Sequence, residues 1–134
     1  MTNIRTLIAI SMLCMAMSAL AFSQSATPQH ITAADAKSHA GETVTVCGKI
    51  VDTKVSRYGL AGHGKPVNFD FDQPEPNPSF FFTTFGSQAG GPDEALAAYK
   101  GKSVCVTGKV TLAASVPFIM AADRTQIKVQ AESK

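Results

Sequence analysis

GETVTVCGK (residues 41–49) returns as GKSVCVTGK (residues 101–109), and five of the nine positions are identical at an offset of 60. In the first copy Val44, Val46 and Ile50 fall on one face, and Thr43, Thr45, Cys47 and Lys49 on the other. That alternation is the period of a half-buried strand. Gly48 interrupts the apolar series, as Gly108 does in the second copy. An internal Gly in a long strand marks a bulge or a bend. Two short copies are too few for a solenoid, which needs several stacked units. They read as two equivalent long strands of one barrel, each following a short helix and each bending at its Gly.

The flanking sequence fits that frame. Residues 31–41 read as a short helix, with Thr32 as cap, Asp35 three residues on, Ile31 as staple and Gly41 as stop. Pro92, Asp93 and Glu94 open a second helix that continues to Lys100 and stops at Gly101. Between the copies, RYGLAGHGKP (57–66) is a loop. Val67, Phe69 and Phe71 then alternate with Asn68, Asp70 and Asp72 as a second strand. QPEPNPS (73–79) carries three Pro and cannot be a central strand. FFFTTFG (80–86) is a third strand, aromatic and β-branched, and SQAGG (87–91) is loop. Residues 116–120 and 126–130 supply a last strand, broken around Ala122, Asp123 and Arg124. The expected fold class is all-β with two short helices. Five strands with a helix between the third and fourth is the order of an OB-fold barrel, and bent first and fourth strands let one curled sheet close. An Ig-like sandwich would need about seven strands.

The chain has 134 residues, 45% apolar and 16% charged, with no Trp. That is one domain's worth of chain. Residues 1–23 read as a secretory signal peptide. Arg5 supplies the positive start, residues 7–21 are an uncharged run of 15, and Ala19-Leu20-Ala21 and Ala21-Phe22-Ser23 are candidate cleavage sites. The run is short of the ~20 residues of a membrane span, so no stable anchor is expected after cleavage. Leu13 before Cys14 stands where a lipobox carries a small residue. Residues 24–30 are expected as a flexible lead, 31–130 as the domain and 131–134 as a tail. Without Arg5 the balance is 11 basic against 10 acidic side chains. That excludes a polybasic binder; composition also excludes a coiled coil, a multi-pass membrane protein and a large multidomain enzyme. A periplasmic or secreted location puts Cys47 and Cys105 in an oxidising compartment, where two Cys allow one pairing. They share outward parity on neighbouring strands. A structural disulfide is the expectation, and two buried thiols the alternative.

VTVCGKI (44–50), GKPVNFDFD (64–72), PNPSFFFTTFG (76–86), YKGKSVCVTGKV (99–110) and TQIKV (125–129) together resemble a family of small secreted bacterial OB-fold proteins. These are described as nucleic-acid-binding OB domains of the tRNA-anticodon-binding-like type. The resemblance spans residues 31–130, and periplasmic bacterial OB-fold stress proteins share the architecture. Phe85 stands where members carry Trp, and residues 112–116 have neither charge nor Gly. By the family pattern Phe80 and Phe82 face the core, which sends Phe81 and Phe85 to the outer face, where OB domains bind.

The expected ligand contacts follow. Arg57, Tyr58, His63 and Lys65 lie in the loop between the first two strands, Asn68 on the second strand, and Phe81 and Phe85 on the third. Single-stranded nucleic acid would stack on Phe81 and Phe85, with Arg57, Lys65 and Lys49 on phosphates and a salt slope of roughly −2. Asp70, Asp72 and Glu75 read as a solvated strand face that opposes polyanions. GLAGHGK (59–65) lacks the spacing of a phosphate loop. His30, His39 and His63 have no metal-spaced partner, and neither Cys has a ligand cluster in sequence. No nucleophile–base pair, metal set or cofactor motif is recognisable, so no enzyme is expected. The reading is a binding module for single-stranded nucleic acid or another oligomeric ligand. Its alternative is an envelope structural or protein-interaction domain with no small ligand.

Overall fold

The computed structural model describes residues 26–59, 61–74, 76–85 and 92–131. The proposed signal peptide, Glu75, the 87–91 loop and most of the tail lie outside the described residues. Seven strands form one sheet: β1 Gln29–Thr32, β2 Thr43–Val55, β3 Pro66–Phe71, β4 Phe80–Phe85, β5 Ser103–Ala113, β6 Val116–Ala121 and β7 Ile127–Val129. One helix, α1 (Pro92–Tyr99), stands between β4 and β5.

Five of the strands close a barrel in the order β2-β3-β4-β6-β5 and back to β2, with β4 and β6 parallel and every other step antiparallel. This is the expected five-stranded barrel, with the strand order of an OB-like fold. It closes because β2 and β5 each serve two neighbours. Residues 43–49 of β2 pair with β5, and residues 50–55 pair with β3. Residues 103–109 of β5 pair with β2, and residues 110–113 with β6. Against β3 the register shifts between Ile50 and Asp52, leaving Val51 as an extra residue at the handover. A bulge of that kind bends the strand and increases its twist.

The sequence repeat has a geometric meaning. Its offset of 60 maps Val46 onto Val106, and these two residues are register partners. The two copies are therefore related by a local two-fold through that pair. The bonds at the ends repeat accordingly: the Val110 amide donates to the Glu42 carbonyl at 2.9 Å, and the Ile50 amide to the Lys102 carbonyl at 2.9 Å. Gly41 and Gly101, which open the copies, both take left-handed backbone, at φ 87° and 73°. Only Gly adopts that conformation without cost.

The core is what the alternation marked. Val44, Val46, Ile50, Val104, Val106 and Val110 are buried against Phe69, Phe71, Phe80, Phe82 and Ile119. Phe69 stacks on Phe82 at 4.8 Å, and Tyr99 of α1 meets Phe69 edge-on at 5.6 Å. Phe80 and Phe82 face inward as expected. Each buried Phe contributes about 1.5–3 kcal/mol of transfer free energy.

Three expectations are corrected. Residues 31–41 hold no α-helix: Gln29–Thr32 is a strand parallel to β2, followed only by a 3-10 turn at Ala36–His39. Ile31 is buried, so its side chain joins the sheet's inner face rather than stapling a helix, and Thr32 bonds the Asp35 carboxylate instead of capping an amide. The strand also takes in Gln29 and His30, two residues of the expected flexible lead. The last strand is two strands. A 3-10 turn at Arg124–Gln126 separates them, capped by reciprocal bonds between Asp123 and Gln126, and β7 leaves the barrel to pair with residues 104–106 of β5. The Thr125 amide and hydroxyl hold the Asp123 carboxyl below its ordinary 3.8. Third, Asp70 does not lie on a solvated face: it is 2% exposed.

Candidate functional site

The outer face of β3, β4 and β6 collects the residues singled out by the sequence. Outward parity places Phe81, Thr83 and Phe85 on β4 beside Asn68 and Asp70 on β3 and Phe118 and Met120 on β6. Phe81 and Phe118 are register partners, and their rings stack at 5.1 Å with 5° between planes. Both remain half-buried, so the stacked pair is partly open to solvent. Beside it the Thr83 hydroxyl donates to Asn68 Oδ1 at 2.8 Å, which fixes the amide.

Two pockets meet on this face. One, of about 230 Å³, has Phe81 and Asp70 at its base, Pro76 and Pro78 on one wall and Ala113 and Val116 on the other, with Asn68 at its edge. The second, of about 330 Å³, is formed by Lys54, Arg57, Tyr58 and Asn68 with the backbone around Val55 and Ser56. Asn68 borders both, so the two adjoin as one trough, with Lys54 and Arg57 in one part and the buried Asp70 in the other.

The expected residues divide accordingly. Arg57, Tyr58, Asn68 and Phe81 come together along the trough, and Tyr58 is 83% exposed. His63 and Lys65 line neither pocket. Phe85 has the expected parity but is only 7% exposed, because the loop folds over it and the His63 ring sits 5.3 Å from its own. Its placement on an open binding face is corrected: Phe85 anchors the loop. Lys49 belongs to the Cys47 face of the β2–β5 ladder and lines neither pocket.

One trough residue, Lys54, and the ring stacked on Phe81, Phe118, were missed. Lys54 is the register partner of Asn68, and the alternation of the first strand would have placed it there. Phe118 was legible as the polar-face position of VPFIM (116–120), between the buried Pro117 and Ile119.

The opposite sheet face carries the disulfide. Cys47 and Cys105 are register partners on β2 and β5 and are bonded, as expected. Next to them Thr45 and Thr107 share a hydrogen bond of 2.8 Å. Because β1 lies alongside β2, His30 arrives at this point, with Nδ1 3.8 Å from Cys47 Sγ. His30, Cys47 and Cys105 form a cluster of metal-capable atoms lying within 4.8 Å of one another. Sequence spacing gave no sign of this cluster, because His30 reaches Cys47 only through the β1–β2 pairing.

No protein-family model and no curated protein matches this sequence. The geometry of the two faces therefore carries the functional argument.

Proposed function

We propose that this protein is a non-enzymatic binding module whose β3–β4–β6 face holds an extended ligand, with single-stranded nucleic acid as its occupant. The observation that carries the reading is the half-buried, stacked Phe81–Phe118 pair, whose Phe81 lines the trough. Aromatic side chains on such a face stack bases without regard to sequence. The loop at residues 56–65 and the turn at 114–115 flank the face, the two loops that OB-like barrels use for ligands. Lys54 and Arg57 would take phosphates at one end.

We also place the protein outside the cytoplasm. Arg5, the uncharged run of 15 residues and Ala19-Leu20-Ala21 support export, and the Cys47–Cys105 disulfide is of the kind that an oxidising compartment sustains.

The test is titration of a dye-labelled single-stranded oligonucleotide at low salt. Weak binding is expected, with a salt slope of roughly −1.4 for two phosphate contacts. Phe81→Ala should weaken it by about 1–3 kcal/mol, roughly 5- to 150-fold, and more than Lys65→Ala does. Absence of binding, or binding indifferent to Phe81→Ala, moves the assignment to a protein-interaction domain.

A further inference from the structure

The geometry points to a thiophilic metal site on the opposite sheet face, formed by Cys47, Cys105 and His30 when the disulfide is reduced, and selective for Cu(I). It is independent of the nucleic-acid reading, because none of its residues lines the trough. Three observations carry it.

The first is the donor set. Two sulfurs and one imidazole nitrogen lie within 4.8 Å of one another, held by three adjacent strands. Thiolate and imidazole ligands suit soft or borderline ions. Among the described residues no fourth metal-capable side chain joins the group. Zn(II) held by two Cys and one His takes water as its fourth ligand, whereas two thiolates and one imidazole complete a three-coordinate Cu(I) site with no further ligand.

The second is access. A groove of about 390 Å³ crosses this face over His30, Thr45, Cys105, Thr107 and Lys128. Cys47 is half-buried and His30 exposed, so the cluster can be reached from solvent.

The third is charge. Two thiolates and one Cu⁺ leave a net charge of −1. Lys128 is the register partner of Cys105 and borders the same groove, where its ammonium offsets that charge.

The chemistry balances in two steps. A dithiol reductant gives two electrons and two protons to the Cys47–Cys105 bond; its own sulfurs close a disulfide, and the protein gains two thiols. Cu⁺ then binds both sulfurs and His30 Nδ1, and the two thiol protons pass to solvent. The disulfide and the metal exclude each other, so metal loading reports the redox state of the pair.

The test uses the full chain carrying Cys14→Ser, so that Cys47 and Cys105 are its only cysteines. The chain is reduced with a dithiol under anaerobic conditions, separated from it and titrated with Cu(I) against a chromophoric Cu(I) chelator. The proposal expects one Cu(I) per reduced chain and none per oxidised chain. His30→Ala should weaken binding roughly tenfold or more, and Cys47→Ser should abolish the competing affinity. Far-UV circular dichroism, recorded in parallel, reports the fold. Equal affinity with and without His30, whether the reduced chain is folded or not, overturns the site, as does binding by the oxidised chain. Preference for Zn(II) over Cu(I) overturns the ion assigned.

Discussion

Gly48 and Gly108 occupy equivalent positions in the repeat, and each lets a core side chain cross the strand. A Cβ on Gly48 would stand 2.9 Å from Phe71 Cδ2, and one on Gly108 would stand 2.6 Å from Ile119 Cγ2. Neither glycine needs unusual backbone; what each provides is space. The Ile119 contact is the tighter, and Ile119 is fully buried on a strand locked by two neighbours. Gly108→Ala should therefore destabilise by about 1–3 kcal/mol, the cost of overpacking. Urea unfolding measures it. The pair should also couple: Gly108→Ala made in an Ile119→Ala background should cost much less than in the parent, and strict additivity would remove the steric account. The sequence showed that a glycine broke the apolar series at these places. It did not show which side chain fills the gap, because Phe71 and Ile119 come from other strands.

The hairpin joining β5 to β6 is a strained element. Ala113 pairs with Val116, so the loop is the two residues Ala114 and Ser115, at φ 47° and 71°. A two-residue loop with both φ positive is a type I′ turn, which favours Asn-Gly. Ala and Ser pay the Cβ penalty of left-handed backbone. Ser115→Gly should raise stability by about 1 kcal/mol, seen as a higher urea midpoint at unchanged slope; a lower midpoint would show that Ser115 makes a contact that outweighs the strain. Strand alternation made four of the five barrel strands legible nearly to the residue, since one face of each is buried. The errors fell where a short segment had a plausible local pattern. ITAADAKSHAG has the spacing of a capped helix, yet Ile31 is buried as the register partner of Val46 on β2. Residues 126–130 look like a continuation of residues 116–120, but the capped turn at Arg124–Gln126 redirects them to β5. The same misreading hid the His30–Cys47 contact, which exists only because β1 is a strand. In the trough, Arg57, Tyr58, Asn68 and Phe81 were legible from loop position and strand parity. The covering of Phe85 by His63 was not, since it depends on how a Gly-rich loop folds back.

At the scale of the whole molecule, one barrel presents two unlike faces. The β3–β4–β6 face offers a stacked ring pair, with Lys54 and Arg57 beyond Asn68. The β1–β2–β5–β7 face offers a disulfide, a threonine pair and an imidazole. The disulfide ties the two long strands at the centre of the repeat, across a sequence separation of 58. Closing a loop of that length restricts the unfolded chain by about 4 kcal/mol on the chain-entropy model. Reduction should lower the unfolding free energy by up to that amount, measured by paired denaturant curves with and without reductant; unchanged stability would place the restraint elsewhere in the denatured chain. The most direct test of the central claim, that the trough is the ligand surface, is a map of backbone amide shifts on adding a single-stranded oligonucleotide to the isotope-labelled protein at low salt. Shifts should concentrate at Arg57, Tyr58, Asn68, Phe81 and Thr83, with Thr45, Cys105 and Lys128 unmoved. Shifts centred on Thr45, Cys105 and Lys128, or none at Asn68 and Phe81 at saturating oligonucleotide, would contradict it.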